Sequence, residues 1–497
     1  MREPQAETIG TRVVSGSVWV LIGFAANALV NLARTVILAR ALSVESYGVA
    51  AAILVVSRLL GGLGTMGLEA AAIQMKREPD ALVLDTVFTV DRLLVKLVQA
   101  VAVFAFAPAI ASFFGADELV APLRGLALLP IVMGFENNAS VVLARKLEMR
   151  RRIRLDLATA FGGAVVIPAA LVYPSPWVVV VSLLVGRLTR TIASYVIHPV
   201  LPRLRIDRAA LAELFPFGRF VFLQNLVLIT RDQLDKLLIA ALLGTASLGI
   251  FELGQRLGAQ IIAIVDNLAL KVLFPVFARS QDTPELGVHR YLTTLEVLAT
   301  MVLPTAAVLA LGADLIMPLL FRHGWDAAVP AVQLLSLAAA IRVLSGASRP
   351  LIRGFGRSGV DLTLDLALFA SIALFVATLA PWLGVLGAVY AVFAAYLLQV
   401  PLSLVATRAC LGVRPAEVLG AVARPALATG VASMAAFAAR HPLGGRGPLI
   451  ELAVLAATFA VVYLGVLVPL EKHADSARLR DVEAALRASI ARMRRRR

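Results

Sequence analysis

Cysteine is almost absent from this chain. Cys410 is the only one, so no intramolecular disulfide can form, and thiol or Cys-rich metal chemistry is unsupported. Histidine is scarce too: His198, His289, His323, His441 and His473 fall mostly in loops or at helix ends, and none forms a pair at metal-ligand spacing. Charged residues make up only 16% of the chain, and no stretch between apolar segments exceeds about 20 residues. That leaves no room for a soluble catalytic or nucleotide-binding domain. Neither a Walker-type nor a dinucleotide glycine pattern occurs, which excludes ATP bound by this chain as the energy source; no cofactor or metal is expected.

What fills the sequence instead is apolar. Hydrophobic residues reach 60% and the mean hydropathy is +0.86 over 497 residues, more than the core of a soluble protein can absorb. Runs of roughly 20 apolar residues without strand alternation read as transmembrane helices, because a backbone in hydrocarbon must satisfy its own hydrogen bonds. About fourteen are expected, at 13–38, 48–73, 87–113, 123–144, 155–172, 177–197, 217–242, 247–274, 295–311, 328–352, 364–380, 385–406, 419–437 and 449–468. The fold class that follows is an all-α polytopic membrane protein. The first stretch is too long for a signal-peptide core and is expected to stay as an anchor.

The net charge of +15 invites a nucleic-acid reading, which the positions of the charges reject. With the N-terminus inside, alternate loops carry Lys146, Arg150, Arg152 and Arg154, then Arg203, Arg205 and Arg208, and later Arg353 and Arg357. Roughly 28 Lys and Arg fall inside against about 4 outside, the positive-inside pattern, and both termini are expected in the cytoplasm. After Val468, Leu479, Val482, Leu486, Ile490 and Met493 recur at steps of three and four beside arginines. This is a basic amphipathic segment suited to anionic membrane lipid.

The chain also repeats itself weakly at a distance of about 200 residues. Ala41-Leu-Ser-Val-Glu-Ser-Tyr-Gly48 follows the first span, and Leu242-Leu-Gly-Thr-Ala-Ser-Leu-Gly249 follows the seventh. Ala139-Ser-Val-Val-Leu-Ala-Arg145 is echoed by Ala347-Ser-Arg-Pro-Leu-Ile-Arg353. The order implies two six-helix lobes of the same topology, related by a pseudo-two-fold along the membrane normal, with a C-terminal helix pair outside the repeat. The expected organisation is a cytoplasmic N-terminus over 1–12, an N-lobe over 13–200 and a cytoplasmic linker over 201–216. A C-lobe over 217–408, additional helices over 409–469 and a basic cytoplasmic tail over 470–497 follow.

At these residues a family becomes recognisable. Arg40-Ala-Leu-Ser-Val-Glu-Ser-Tyr-Gly48 resembles the "AR-x-L-x-x-x-x-YG" signature of polysaccharide-unit exporters. Phe215-Pro-Phe-Gly-Arg-Phe, Asp232-Gln-Leu-Asp-Lys-Leu-Leu-Ile, Phe274-Pro-Val-Phe-Ala-Arg-Ser-Gln and Phe321-Arg-His-Gly-Trp-Asp-Ala-Ala-Val-Pro330 resemble its second half. The resemblance covers roughly residues 10–410 and points to the multidrug/oligosaccharidyl-lipid/polysaccharide exporter superfamily. It implies a flippase, not an enzyme, that carries undecaprenyl-diphosphate-linked glycan units across the bacterial inner membrane by alternating access. Surface polysaccharide assembly (O-antigen, exopolysaccharide or capsule) is the implied role, with a polymerase and export machinery as partners and no nucleic acid. The final helix pair resembles that of lipid II flippases. A small-molecule exporter of the same superfamily is the alternative, though the intramembrane arginines argue against it. A membrane glycan polymerase is a further alternative that the short outer loops disfavour.

A lipid-linked diphosphate needs cations in a cavity, and Arg can grip phosphate with a planar fork. Arg58 lies mid-span in the second helix, and the repeat distance carries it to within a turn of Arg256 in the eighth, so each lobe is expected to offer one arginine; the alternative is pairing within a lobe, as of Arg256 with Glu252 at i,i+4. Arg342 is the next candidate contact. Asn27, Asn31 and Arg34 form one polar stripe on the first helix, and Asn225, Asp232 and Asp235 another on the seventh. Asp235 is the repeat counterpart of Arg34, which suggests an ion pair between lobes acting as a gate. The alternatives are local pairs, Arg231 with Asp235 and Asp232 with Lys236. Asp91 and Glu136 are candidates to bind a coupling ion, or else to pair with Lys96.

Overall fold

A computed structural model of the chain describes residues 23, 25–146, 148–277, 284–321, 324–440 and 447–473; the side chains of 259–277, 284–286, 354, 358, 472 and 473 lie outside that description. The expected basic tail lies outside it as well, beyond residue 473. Among the described residues, ten helices are long and apolar enough to cross a membrane, or eleven with one bent pair counted as a single span. Two of the ten are double spans of 51 and 53 residues. With the helix over residues 25–41, these match the fourteen expected crossings, and the chain is a multi-pass membrane protein.

In chain order the spans are α1 (residues 25–41), α2 (Val44–Leu63), α3 (Ala81–Phe113), α4 (Asp117–Gly134 with Ala139–Arg145), α5 (Met149–Leu171) and α6 (Trp177–Ile197). Arg208–Phe277 holds α7 and α8, divided at Gly244; α9 is Pro284–Leu320 and α10 is Asp326–Arg353. Ser358–Leu411 holds α11 and α12, divided at Gly384, and α13 (Pro415–Arg440) and α14 (Pro448–His473) complete the chain. The loops expected at 243–246 and 381–384 reduce to these single breaks. Gly244 stands at φ 80° and Gly384 at φ 61°, a region that glycine enters without the Cβ penalty. The ninth span, expected at 295–311, is 37 residues long. Its polar ends, with His289, Arg290, Thr293 and Asp314, break the hydropathy window without breaking the helix.

Packing divides the chain into two units: Met1–Leu253 with Val376–Ala388, and Gly254–Phe375 with Val389–Arg497. In the first unit α5 and α6 cross at small residues. A Cβ on Gly186 would stand 2.7 Å from the Thr159 carbonyl oxygen, and the Ser182 hydroxyl donates to the Gly163 carbonyl at 2.8 Å. Lipid tails are as apolar as leucine, so close backbone approach and such hydrogen bonds must hold the helices together. The α4 pair, expected as one span over 123–144, bends by 50°. The two asparagines at the bend tie it to its neighbours. Asn137 donates to the His198 carbonyl at 2.7 Å, and Asn138 to the Leu84 carbonyl at 2.7 Å.

Arg145 closes the short helix Leu68–Gln74 by donating to the Ala72, Ile73, Met75 and Arg77 carbonyls at 2.9–3.0 Å. The linker after α6 is strapped onto α3. The N–H groups of Arg203, Arg205 and Asp207 donate to Asp85, Thr89 and Thr86 at 2.9, 3.1 and 2.9 Å.

In the second unit Ala428, Ala432 and Ala436, one helical turn apart on α13, form a flat stripe. Leu455, Phe459, Tyr463 and Leu467 of α14 pack with it in a core that also takes in Ala307 and Leu315 of α9. The Tyr463 hydroxyl donates to the Thr300 carbonyl at 2.7 Å, locking the C-terminal pair onto α9.

Candidate functional site

Two charge networks lie inside the first unit. The first centres on Glu252, near the start of α8 and 1% exposed. Its Oε1 is 3.0 Å from Arg58 Nη2 of α2, and its Oε2 is 3.8 Å from Lys236 Nζ of α7. The Arg58 side chain keeps 35% of its surface accessible. Lys236 is also 3.8 Å from Asp235, whose carboxylate accepts the Lys236 backbone N–H at 2.8 Å. Above this cluster two backbones nearly touch at glycines that hold the same place in the sequence repeat. A Cβ on Gly249 would stand 2.9 Å from Gly48 Cα, and one on Gly48 would run into the Thr245 carbonyl. Sequence reasoning had Glu252 only as a local partner for Arg256. The signal for more was a carboxylate in the otherwise apolar run Leu248–Leu253.

The second network begins in α3, which passes through a π-helical turn over Phe88–Leu94. A π turn adds a residue to one helical turn and re-aims the side chains around it. Here it presents Asp91 and Arg92 to different neighbours. Asp91 accepts backbone N–H groups from Met66, Leu68 (3.1 Å) and Glu69 (3.3 Å), so it caps the N-terminus of Leu68–Gln74 from another helix. Arg92 pairs with Glu69 at 2.9 Å and Glu136 at 3.6 Å, and donates to Ser140 at 2.8 Å. Arg190 of α6 donates to both Glu136 oxygens, at 3.0 and 3.1 Å, and to Asp156 at 2.7 Å.

Lys96 hydrogen-bonds to an amide, while Asp91 lies near enough to act on its charge. Lys96 donates to Gln99 at 3.2 Å, and Gln99 in turn to the Leu60 carbonyl at 2.9 Å. Asp91 and Glu136, the candidates for a coupling ion, each have structural partners here: backbone N–H groups for Asp91, Arg92 and Arg190 for Glu136.

The remaining sequence candidates are placed as follows. Asn31 donates to the Asn27 carbonyl at 2.9 Å and to its side chain at 2.5 Å, so the α1 stripe is internally bonded, with half-buried Arg34 one turn further on. Arg231 pairs with its neighbour Asp232 at 2.8 Å, and Lys236 Nζ meets the Asp232 carbonyl at 3.3 Å. Arg256 is 7% exposed and belongs to the second unit, where Gly254 lies against Ala331. Arg342 of α10 is exposed.

Fourteen spans with buried charge in the first unit define a polytopic helical membrane protein, and a solved structure shares the fold. That structure is described as lipid II flippase MurJ in an inward closed conformation. It superposes with a TM-score of 0.73 at 12% identity, covering 93% of this chain and 99% of that one. The sequence matches the family described as polysaccharide biosynthesis protein over residues 37–330, and the chain belongs to that family. Two curated relatives are similar over most of its length. The succinoglycan biosynthesis transport protein ExoT of Rhizobium meliloti (strain 1021) is 24% identical, covering 71% of this chain and 72% of the relative. The lipopolysaccharide biosynthesis protein WzxC of Escherichia coli (strain K12) is 24% identical over 72% of this chain and 73% of its own length.

Proposed function

We propose that this protein is a flippase for lipid-linked oligosaccharide units, working by alternating access in surface polysaccharide assembly. The fold shared with a lipid II flippase, the family, and relatives that serve succinoglycan transport and lipopolysaccharide biosynthesis support the reading. The single observation that carries it is Arg58, a guanidinium within an apolar span that keeps a third of its side chain open beside a buried carboxylate. Such a group suits the diphosphate of an undecaprenyl-linked glycan, which needs a cation wherever it leaves water. Arg256, Arg342 and Arg34 are the further cations assigned to the substrate path. Arg34 with Asp235 is assigned to the gate. The protein sits in the bacterial inner membrane with both termini in the cytoplasm, so the Ser43 end of α2 faces outward. It acts as a transporter with no reaction of its own, beside a polymerase and export machinery.

The test is glycan export in cells lacking the native gene. Arg58→Ala and Arg256→Ala each abolish export while the protein remains in the membrane, and Lys at Arg58 rescues only in part because it lacks the fork. Normal export by the double alanine variant overturns the reading.

A further inference from the structure

Glu252 is the most deeply buried carboxylate of its network, yet one of its two cations is open to approach. It is 1% exposed, whereas the Arg58 side chain is 35% exposed. Glu252 belongs to the start of α8, Arg58 to α2 and Lys236 to α7, so one carboxylate fastens three helices. Only a turn from Glu252 lies Gly249, whose backbone packs on Gly48 with no space for a side chain between them. The ion pair and the glycine crossing therefore hold the same two helices, α2 and α8, a turn apart on α8 and ten residues apart on α2.

We propose that Glu252 is a resident counter-anion that an anionic head group displaces from Arg58, and that this exchange releases the crossing of α2 on α8. The inference rests on the assignment of Arg58 to diphosphate. While Glu252 holds Arg58, both charges are paired and the helices stay packed. A diphosphate offers Arg58 more charge and a bidentate geometry, so the arginine changes partner without losing one. Glu252 then keeps Lys236 at 3.8 Å but loses its nearer cation while still buried, a costlier state that separating α8 from α2 relieves by admitting water. A ligand can drive such a change only through its different affinity for the two states. Here the difference is built in, because Arg58 is free to take an anion only when Glu252 has let go. Glu252 acts through Arg58, as a positioning residue that couples head-group binding to opening.

The experiment uses the full chain in membrane vesicles with Cys410→Ala and a single reporter, Ala246→Cys, beside the crossing. The Ala246 backbone nitrogen is 2.9 Å from where a Cβ of Gly48 would lie. An impermeant maleimide reads how open the crossing is, with and without inorganic pyrophosphate or a polyprenyl diphosphate. The parent labels slowly, and either diphosphate speeds it by about ten-fold, within the usual range for coupling between sites. Glu252→Gln labels fast without ligand and gains nothing from it; Glu252→Asp, which keeps the charge, stays slow until ligand is added. The neutral pair Arg58→Gln with Glu252→Gln serves if the single variant does not fold, and it labels fast and ligand-independently. Slow, unchanged labelling of both the Gln variant and the neutral pair overturns the latch. If Arg58→Ala also abolishes export, the substrate assignment stands while the latch falls; if Arg58→Ala exports normally, the assignment itself has failed.

Discussion

The Glu136 network and the Glu252 network lie in the same packing unit and use the same chemistry, a carboxylate between two cations, but they are closed to different degrees. Around Glu136 (7% exposed), the cations Arg92 and Arg190 are 7% and 14% exposed, and each has a further partner in Glu69, Ser140 or Asp156. Around Glu252 the anion is as deeply sunk, yet Arg58 keeps an open face and Lys236 sits at 3.8 Å. A network whose cations are buried and multiply paired gives a ligand little access and serves to fix helices. A network with one open cation can exchange its partner. The distinction separates charge that builds the fold from charge that is available for transport, and burial of the carboxylate alone does not reveal it.

Breaking the saturated network has the largest expected effect. Glu136→Ala leaves Arg92 and Arg190 without their shared anion in a low-dielectric interior, a loss of about 3–5 kcal/mol. Thermal unfolding in detergent, followed by size-exclusion, checks it: little folded protein is recovered, and export fails because the protein is missing. A folded, inactive Glu136→Ala protein would instead give Glu136 a transport role and erase the contrast.

A matched pair of substitutions sharpens it. Arg190→Lys loses the fork that reaches Glu136 and Asp156 together and destabilises by roughly 1–3 kcal/mol, with export per folded molecule unchanged. Arg58→Lys does the reverse, leaving the unfolding temperature close to the parent and lowering export. Equal effects on stability and export at the two positions would show that accessibility is not what separates them.

Much of the architecture was legible in the sequence, since hydropathy reports length and apolarity, the two properties a membrane span needs. It failed where helices continue through polar residues, as α9 does past Thr293 and Asp314, and where one glycine replaces a loop, as at Gly244. The mid-span charges were visible as candidates, but their partners were not. Arg58 meets Glu252 nearly two hundred positions away, and only the π turn of α3 sends Asp91 to backbone N–H groups and Arg92 to Glu136. Helical spacing predicts neighbours on one helix, such as Arg256 for Glu252 at i,i+4. Long-range pairing lies outside that rule.

The smallest effect is expected from charge at the edge of the second unit. Arg440 at the end of α13 pairs with Asp314 of α9 and, at 3.4 Å, with Glu451 of α14, which resembles the two buried networks on paper. Its side chain is 22% exposed and that of Asp314 41%, so water competes for both groups, and ordering two long side chains offsets part of the attraction. Arg440→Gln keeps a donor for either carboxylate and removes only the charge. The expected cost is about 0–1 kcal/mol and is reduced further by salt. The measurement is the unfolding temperature of the detergent-solubilised variant at low and high ionic strength, beside export in cells. A shift as large as that of Arg190→Lys, insensitive to salt, would mean that Arg440 is shielded by lipid or by a partner and belongs with the saturated network. A small, salt-sensitive shift with full export places it where its exposure does, as a clasp on the helix pair that takes no part in moving the substrate.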